Sequence, residues 1–159
     1  MSYKSKILTR DALAKLRRKW ADQGEKVVFT NGCFDIVHRG HVDYLNKAAE
    51  LGTKLIVAVN TDQSVSKIKG PSRPIQDEIS RTELLASMGC VDAVVLFDEP
   101  TPYELINAII PDVLVKGSDY KAEDIVGYDI VTSYGGTVQT LDFIDGYSSS
   151  AIIQKILKG

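Results

Sequence analysis

The apolar positions of this chain switch between two periods. Over residues 10–23, Leu13, Leu16 and Trp20 fall at helical spacing, and Gly24 follows as a stop. Val27-Val28-Phe29-Thr30 is a short strand of the buried type and ends in the turn signal Asn31-Gly32. Residues 41–51 return to helical spacing, with Val42, Leu45 and Ala49 on one face and Gly52 suited to the position after a helix end. Leu55 to Val59 is apolar on both faces, which marks a strand of a parallel sheet covered by helices. Residues 67–74 (KIKGPSRP) read as a Gly/Pro-containing loop. A helix follows over residues 77–88, with Ile79, Leu84, Leu85 and Met88 apolar, and then a strand over residues 93–97. The next helix, residues 101–110, has Thr101 as its cap, Pro102 at its first position and a stripe of Leu105, Ile106, Ile109 and Ile110. Val113-Leu114-Val115 and residues 137–141 are the last strands. Residues 151–157 close the chain as a helix, with Ile152, Ile153, Ile156 and Leu157 expected to face inward.

Five strands interleaved with helices predict one α/β domain, a Rossmann-like, doubly wound, five-stranded parallel sheet. It is expected to span residues 1–159, with residues 1–25 forming an N-terminal helical segment packed on it. In such sheets ligands bind beyond the carboxyl ends of the strands, where the strand order reverses.

Composition narrows the class. Nineteen basic residues against 21 acidic ones give a net charge of −2. That balance argues against a general nucleic-acid binder, which needs a basic surface. The longest apolar runs, about five residues, fall far short of the roughly 20 that a membrane span needs. The N-terminus has no apolar core of a signal peptide. Cys33 and Cys90 are too few for a disulfide framework and lack metal-ligand spacing, and Cys90 reads as a small core residue. A cytoplasmic protein with no membrane or nucleic-acid partner is expected.

The chemistry concentrates after the first apolar strand. The chain has two histidines, and both fall in the tetrapeptide His38-Arg39-Gly40-His41. Each is a hydrogen-bond donor and can carry charge near neutral pH. Gly40 lets the backbone approach a ligand. His41 lies where the next helix begins, and a helix N-terminus offers free N–H groups and a positive dipole end. Two imidazoles there suit a polyphosphate. Their spacing, without a cysteine cluster, argues against a metal site.

Gly32-Cys33-Phe34-Asp35 followed by His38-Arg39-Gly40-His41 resembles the HxGH nucleotidyltransferases, in particular their cytidylyltransferase-like branch. The resemblance continues through Asn60-Thr61-Asp62, Lys67 and Lys69, Arg73-Pro74, Arg81, Lys116-Gly117-Ser118-Asp119-Tyr120 and Asp145-Gly146-Tyr147-Ser148-Ser149-Ser150. Within the branch, TNGCFD, LIVAVNTD, KGPSRP, VLVKGSDY and DGYSSSAIIQKI are most similar to the adenylyltransferases of ADP-heptose synthesis, over about residues 5–158. The resemblance implies a nucleotidyltransferase fold and transfer of an adenylyl group from ATP to a heptose 1-phosphate. It implies a place in making lipopolysaccharide or other surface-glycan precursors. It further implies a homodimer; in many relatives the domain is fused to a sugar kinase, and because these 159 residues leave no room for one, the kinase is expected on a separate protein. The glycerol-3-phosphate cytidylyltransferases are a second match, but the arginine and glutamate of their RTEGIST-type segment are absent from FIDGYSSSAII. Tyr147 departs from the heptose branch, where a small residue, commonly Cys, stands. A nucleotide-binding regulatory module without turnover is the third reading.

The resemblance also implies roles. His38, His41, Lys69 and Arg81 would be catalytic, contacting the triphosphate and its developing charge, with Lys67 beside Lys69. Gly32, Cys33, Phe34, Gly40, Lys116, Gly117, Asp119, Ser148, Ser149 and Ser150 would bind the nucleotide. Asn31, Asp35, Asn60 and Asp62 would face the acceptor. No metal site of the protein's own is expected; Mg²⁺ would ride on the nucleotide phosphates, with Asp35 as an indirect ligand. Plainer roles stay open at this point. Lys67 and Lys69 suit solvated loop positions, the serines suit a helix cap, Arg81 is spaced to pair with Asp77, and Asp119 suits a cap. Phe34 and Tyr44 read mainly as packing. Tyr120, Tyr128 and Tyr147 are candidates to stack on a base or line the sugar site.

Overall fold

The structure, a computed structural model, describes residues 2–159. A 3-10 turn (Tyr3–Lys6) leads into β1 (Ile7–Leu8), α1 (Arg10–Asp22), β2 (Val27–Gly32), α2 (Arg39–Ala49) and β3 (Lys54–Asn60). Two helices in a row, α3 (Asp62–Lys69) and α4 (Glu78–Ala86), precede β4 (Ala93–Phe97). Then come α5 (Tyr103–Ile109), β5 (Val113–Gly117), a second 3-10 turn (Ala122–Asp124), α6 (Tyr128–Ser133), β6 (Thr137–Leu141) and α7 (Ser149–Lys158).

The strands form one sheet in the order β1-β4-β3-β2-β5-β6, and every pairing is parallel. The sheet has six strands, not five. The extra one is β1, whose two residues pair with Val94 and Val95 at the edge. A run that short carries no period, so residues 1–25 hold a strand as well as a helix.

Alternation along the strands loads both faces. Phe29, Ile56, Ala58, Val95 and Leu114 pack with Leu13 and Trp20 of α1, Leu105 and Ile106 of α5, and Ile130 and Val131 of α6. Val28, Leu55, Val57, Val94 and Val113 pack with Tyr44, Leu45 and Ala48 of α2 and Leu85 and Ala86 of α4. Cys90 is half-buried beside this second cluster.

Three local expectations are corrected. The first residues of the 67–74 segment are helical, because Thr61 caps α3 and the helix runs on to Gly70, whose φ of 101° ends it. Helix α5 starts one residue later than its sequence suggests: Pro102 is its cap, and no side chain caps it. The stripe of α7 does not face inward. Ile152 and Ile153 are half-buried, while Ile156 and Leu157 are 69% and 74% exposed. The reason is that α7 is held at its first turn, where Ser148 accepts from Ala151 N and the Ser149 hydroxyl donates to the carbonyls of Asp35 and Ile36.

Strand order reverses at β2, which has β3 on one side and β5 on the other. Asn31-Gly32, Asn60 and Lys116-Gly117 therefore end side by side, and the site grows from there.

Candidate active site

Past the ends of β2 and β5 lie two adjoining cavities of about 400 and 240 Å³. They share Asn31, Gly32, Cys33, Lys69, Lys116 and Tyr120 and form one cleft. The larger half continues over Asn60, Phe97 and Pro100 to Pro102. The smaller half runs past Phe34, Asp35, His41, Gly117, Asp119 and Ser149. A bigger cavity, about 650 Å³, opens at the opposite end of the sheet around Arg17, Lys26 and Asp112 and contains none of the expected site residues.

The start of α2 sets both imidazoles. His38 is the N-cap, and its Nδ1 accepts from Gly40 N at 3.0 Å. His41 Nδ1 accepts from His38 N at 3.3 Å, so the two rings close a reciprocal cap. They lie stacked, with centroids 3.9 Å apart. An Nδ1 that accepts a backbone N–H carries no proton, which puts the ring proton on Nε2 in both histidines. Gly40 is required here, since a Cβ at that position would meet His38 Cε1 at 2.8 Å.

Burial pushes the His41 imidazole down to about 4, with His38 and Lys69 adding to the shift, and burial lowers His38 as well. Without a ligand both are neutral donors rather than cations. A sign follows for stability. Unfolded His41 binds a proton near 6.5 and folded His41 near 4, so the unfolded chain takes up more protons in between. Stability from this group is complete above pH 6.5 and drains away as pH falls to about 4. Melting temperatures of wild type and His41→Asn should agree above pH 6.5 and separate as pH falls to about 4, with wild type falling the further.

The cations come from two directions. Lys69, in the last turn of α3, lines both halves of the cleft, whereas Lys67 lines a separate small cavity with Ser64, Asp98 and Pro100. Lys116 of β5 donates to the Asn31 carbonyl at 3.3 Å and sits 5.5 Å from the Tyr120 ring. Burial lowers the Lys116 ammonium, with Asp119 offsetting part of the effect. Gly117 clears room beside it, because a Cβ there would lie 2.1 Å from Phe143 Cε2.

Several expected site residues are held by contacts within the protein. Arg81 is fully buried and does not reach the cleft. Its Nε donates to Gln76 O, its Nη1 to Cys33 O and Asn60 O, and its Nη2 to Asp62 Oδ1 at 2.8 Å. Asp62 is thus the partner of Arg81, and Asp77 instead caps α4. Asn60 is 5% exposed, donates to Ser64 Oγ and faces the larger cavity.

Asp35 is 2% exposed and accepts from Arg73 Nε and from the N–H groups of Ile75 and Gln76. Burial alone would raise its carboxyl, but those donors outweigh it and hold the group below the usual carboxylate range. Oδ2 accepts two of these bonds and Oδ1 one. Phe34 and Ile36 on either side of it have φ of 49° and 55°. Side chains seldom accept that backbone region, and the residue it brackets both lines the smaller cavity and holds the 73–76 segment.

Cys33 is half-buried, its thiol pushed up by burial, and its Sγ lies 3.7 Å from Asn60 Oδ1. Ser149 reaches the cleft, Ser148 caps α7 and Ser150 is exposed. Tyr147 lies against the start of α2, its hydroxyl accepting from Arg39 and its ring 6.5 Å from that of His38. Arg73 and Phe143 line the cleft without having been assigned a role from sequence.

The cytidylyltransferase-like family profile matches residues 29–155, which takes in every element of this cleft. The chain belongs to the cytidylyltransferase-like family. It is 50% identical over 157 residues to the bifunctional protein HldE of Syntrophotalea carbinolica, and 54% identical over 153 residues to that of Vibrio cholerae. Those alignments cover 99% and 96% of this chain but 32% of each relative, so the chain spans about a third of their length. Among solved structures, the lipopolysaccharide core biosynthesis protein of Thermoplasma volcanium superposes with a TM-score of 0.63 at 31% identity, over 79% of this chain and all of that one. The pantoate-beta-alanine ligase of Francisella tularensis, 16% identical with a TM-score of 0.60 over 96% of this chain and 78% of its own, shares the fold. The residues lining the cleft all fall within the matched span. None of its described helices is long and apolar enough to cross a membrane.

Proposed function

We propose that this chain transfers the adenylyl group of ATP to D-glycero-D-manno-heptose 1-phosphate, forming ADP-heptose and pyrophosphate. The observation that carries the reading is the donor array. Two neutral imidazoles with their protons on Nε2 stand at the start of α2, and Lys69 and Lys116 line the cleft beside them. A sugar 1-phosphate is already anionic at neutral pH, so no strong base is needed. Its phosphate oxygen bonds to the α-phosphorus as the bond to the bridging oxygen breaks, and pyrophosphate leaves with that electron pair. Such a reaction needs positioning and stabilisation of charge on phosphoryl oxygens, which donors and cations supply.

The choice of acceptor is supported by likeness to the HldE proteins at about half identity over nearly the whole chain. The Thermoplasma protein, named for lipopolysaccharide core biosynthesis, supports the same direction. Mg²⁺ enters this reading as cargo of the nucleotide phosphates, where it would neutralise their charge. A homodimer and a cytoplasmic setting belong to the same proposal.

The test is pyrophosphate release across a matrix. ATP, CTP, GTP and UTP are each paired with both anomers of heptose 1-phosphate and with glycerol 3-phosphate, in the presence of Mg²⁺. Release with ATP and one heptose anomer is expected. Release with CTP and glycerol 3-phosphate would replace this reading by the cytidylyltransferase one. A folded chain that binds ATP and releases nothing would point to the regulatory module.

A further inference from the structure

We infer that Arg73 is a phosphate-binding residue of the smaller half of the cleft, held in position by Asp35. This inference rests on the proposed adenylyl transfer for the identity of the nucleotide, but not for the presence of a phosphate. Arg73 lines the smaller cavity together with His41, Lys69, Lys116 and Ser149, and it does not line the larger one. That places it beside the start of α2, on the side where the donor array lies.

The segment around Arg73 is pinned. Ser66 Oγ donates to the Arg73 carbonyl at 2.6 Å, and Nε donates to Asp35 Oδ2 at 2.8 Å. The Asp35 side chain is 1% exposed and that of Arg73 12%. Asp35 also accepts from two backbone N–H groups just past Arg73, at 2.8 and 2.9 Å. It therefore fixes both the guanidinium and the loop that carries it.

The guanidinium is only partly used. It has five N–H donors, and among the described residues Asp35 takes the one on Nε. Nη2 is buried with no hydrogen-bond partner at all. A buried charged donor left unpaired is costly and calls for an acceptor. Arg81 shows the contrast within the same fold, since all three of its nitrogens are matched by protein oxygens. The planar fork of an arginine fits two oxygens of one phosphoryl group. Asp119 is the one carboxylate besides Asp35 lining this cavity, against Arg73, Lys69 and Lys116. A polyphosphate is the anion that matches such an excess of positive charge.

The bland alternative is that Arg73 serves only as counter-ion to Asp35. Arg73→Lys separates the two, since it keeps a positive charge beside Asp35 and loses the fork. Calorimetric titration with inorganic pyrophosphate and with ATP reads the site without any acceptor. For Arg73→Lys, both affinities should fall at least about tenfold with little change in melting temperature. Arg73→Gln should lose at least as much affinity and melt lower, because Asp35 is then buried without its partner. Affinities of Arg73→Lys equal to those of wild type would overturn the inference, and so would a wild-type protein that binds neither probe. Adenylyl transfer is read separately in the substrate matrix. A chain that binds pyrophosphate through Arg73 yet never turns over heptose 1-phosphate would refute the proposed function and leave this inference standing.

Discussion

His41→Ala should lower kcat by about two to three orders of magnitude, the usual cost of removing one aimed donor from a charge-stabilising site. The fold should survive, because the substitution removes a single half of a helix cap, costing about 1 kcal/mol, or roughly 2–4 °C in Tm. His41→Asn sharpens the point. Its side-chain oxygen can replace Nδ1 as the acceptor from His38 N, while nothing replaces the Nε2 proton. It should therefore match wild type in stability and His41→Ala in turnover. Single-turnover rates with saturating ATP, together with thermal melts, decide it. An active His41→Ala enzyme would remove His41 from the chemistry.

The largest effect on stability should come from Arg81. Arg81→Met is close in length but leaves the carbonyls of Gln76, Cys33 and Asn60 without their donor and the Asp62 carboxylate without its partner. The Asp62 side chain is 41% exposed and loses little, but each buried carbonyl left without its donor costs about 1–3 kcal/mol. For a domain of this size that is a fall in Tm on the order of 10 °C. Arg81 ties the ends of β2 and β3 to the segment before α4, so the cleft should loosen as well. Thermal melts are the deciding readout. A variant that melts with wild type but has lost ATP binding would mean that Arg81 acts on the phosphates after all.

These two residues show where sequence informs and where it stops. Strands β2, β3, β4 and β5 were legible because each is a run of apolar residues buried on both faces. The His38–His41 segment was legible because chain order alone sets a cap followed by a helix. Strand β1 was not, since two residues carry no period, and pairing with β4 is what makes them a strand. The inward face expected of α7 failed for a different reason. An amphipathic stripe shows that a helix can bury one side, not that this chain supplies the surface.

How Arg81 and Asp35 are held is not legible in sequence, because their partners are largely backbone groups that the fold brings in from elsewhere. Arg81 meets the carbonyl of Cys33 from 48 residues away, and Asp35 meets the N–H of Gln76 from 41. A charged residue in a motif looks the same in sequence whether it faces a ligand or a carbonyl. Arg73 illustrates the converse. It stood in the KGPSRP segment with no role, and only the unmatched Nη2 beside the matched Arg81 sets the two arginines apart.

The strand order also governs how the chain must be made. Strand β2 meets β3 early, since Lys26 already bonds Thr53 only 27 residues on. On its other side it waits for β5, and Thr30 bonds Val115 across 85 residues. During synthesis the middle strand is for a long interval an edge, apolar on both faces and with one row of backbone groups unpaired. Such an edge recruits other chains. A nascent chain halted before β5 exposes that edge and carries the histidines without Lys116, Gly117, Asp119 or Ser149. Arrival of β5 covers the edge and brings Lys116 and Gly117 to the cleft in the same event, so the chain gains solubility and the second wall of its nucleotide site together.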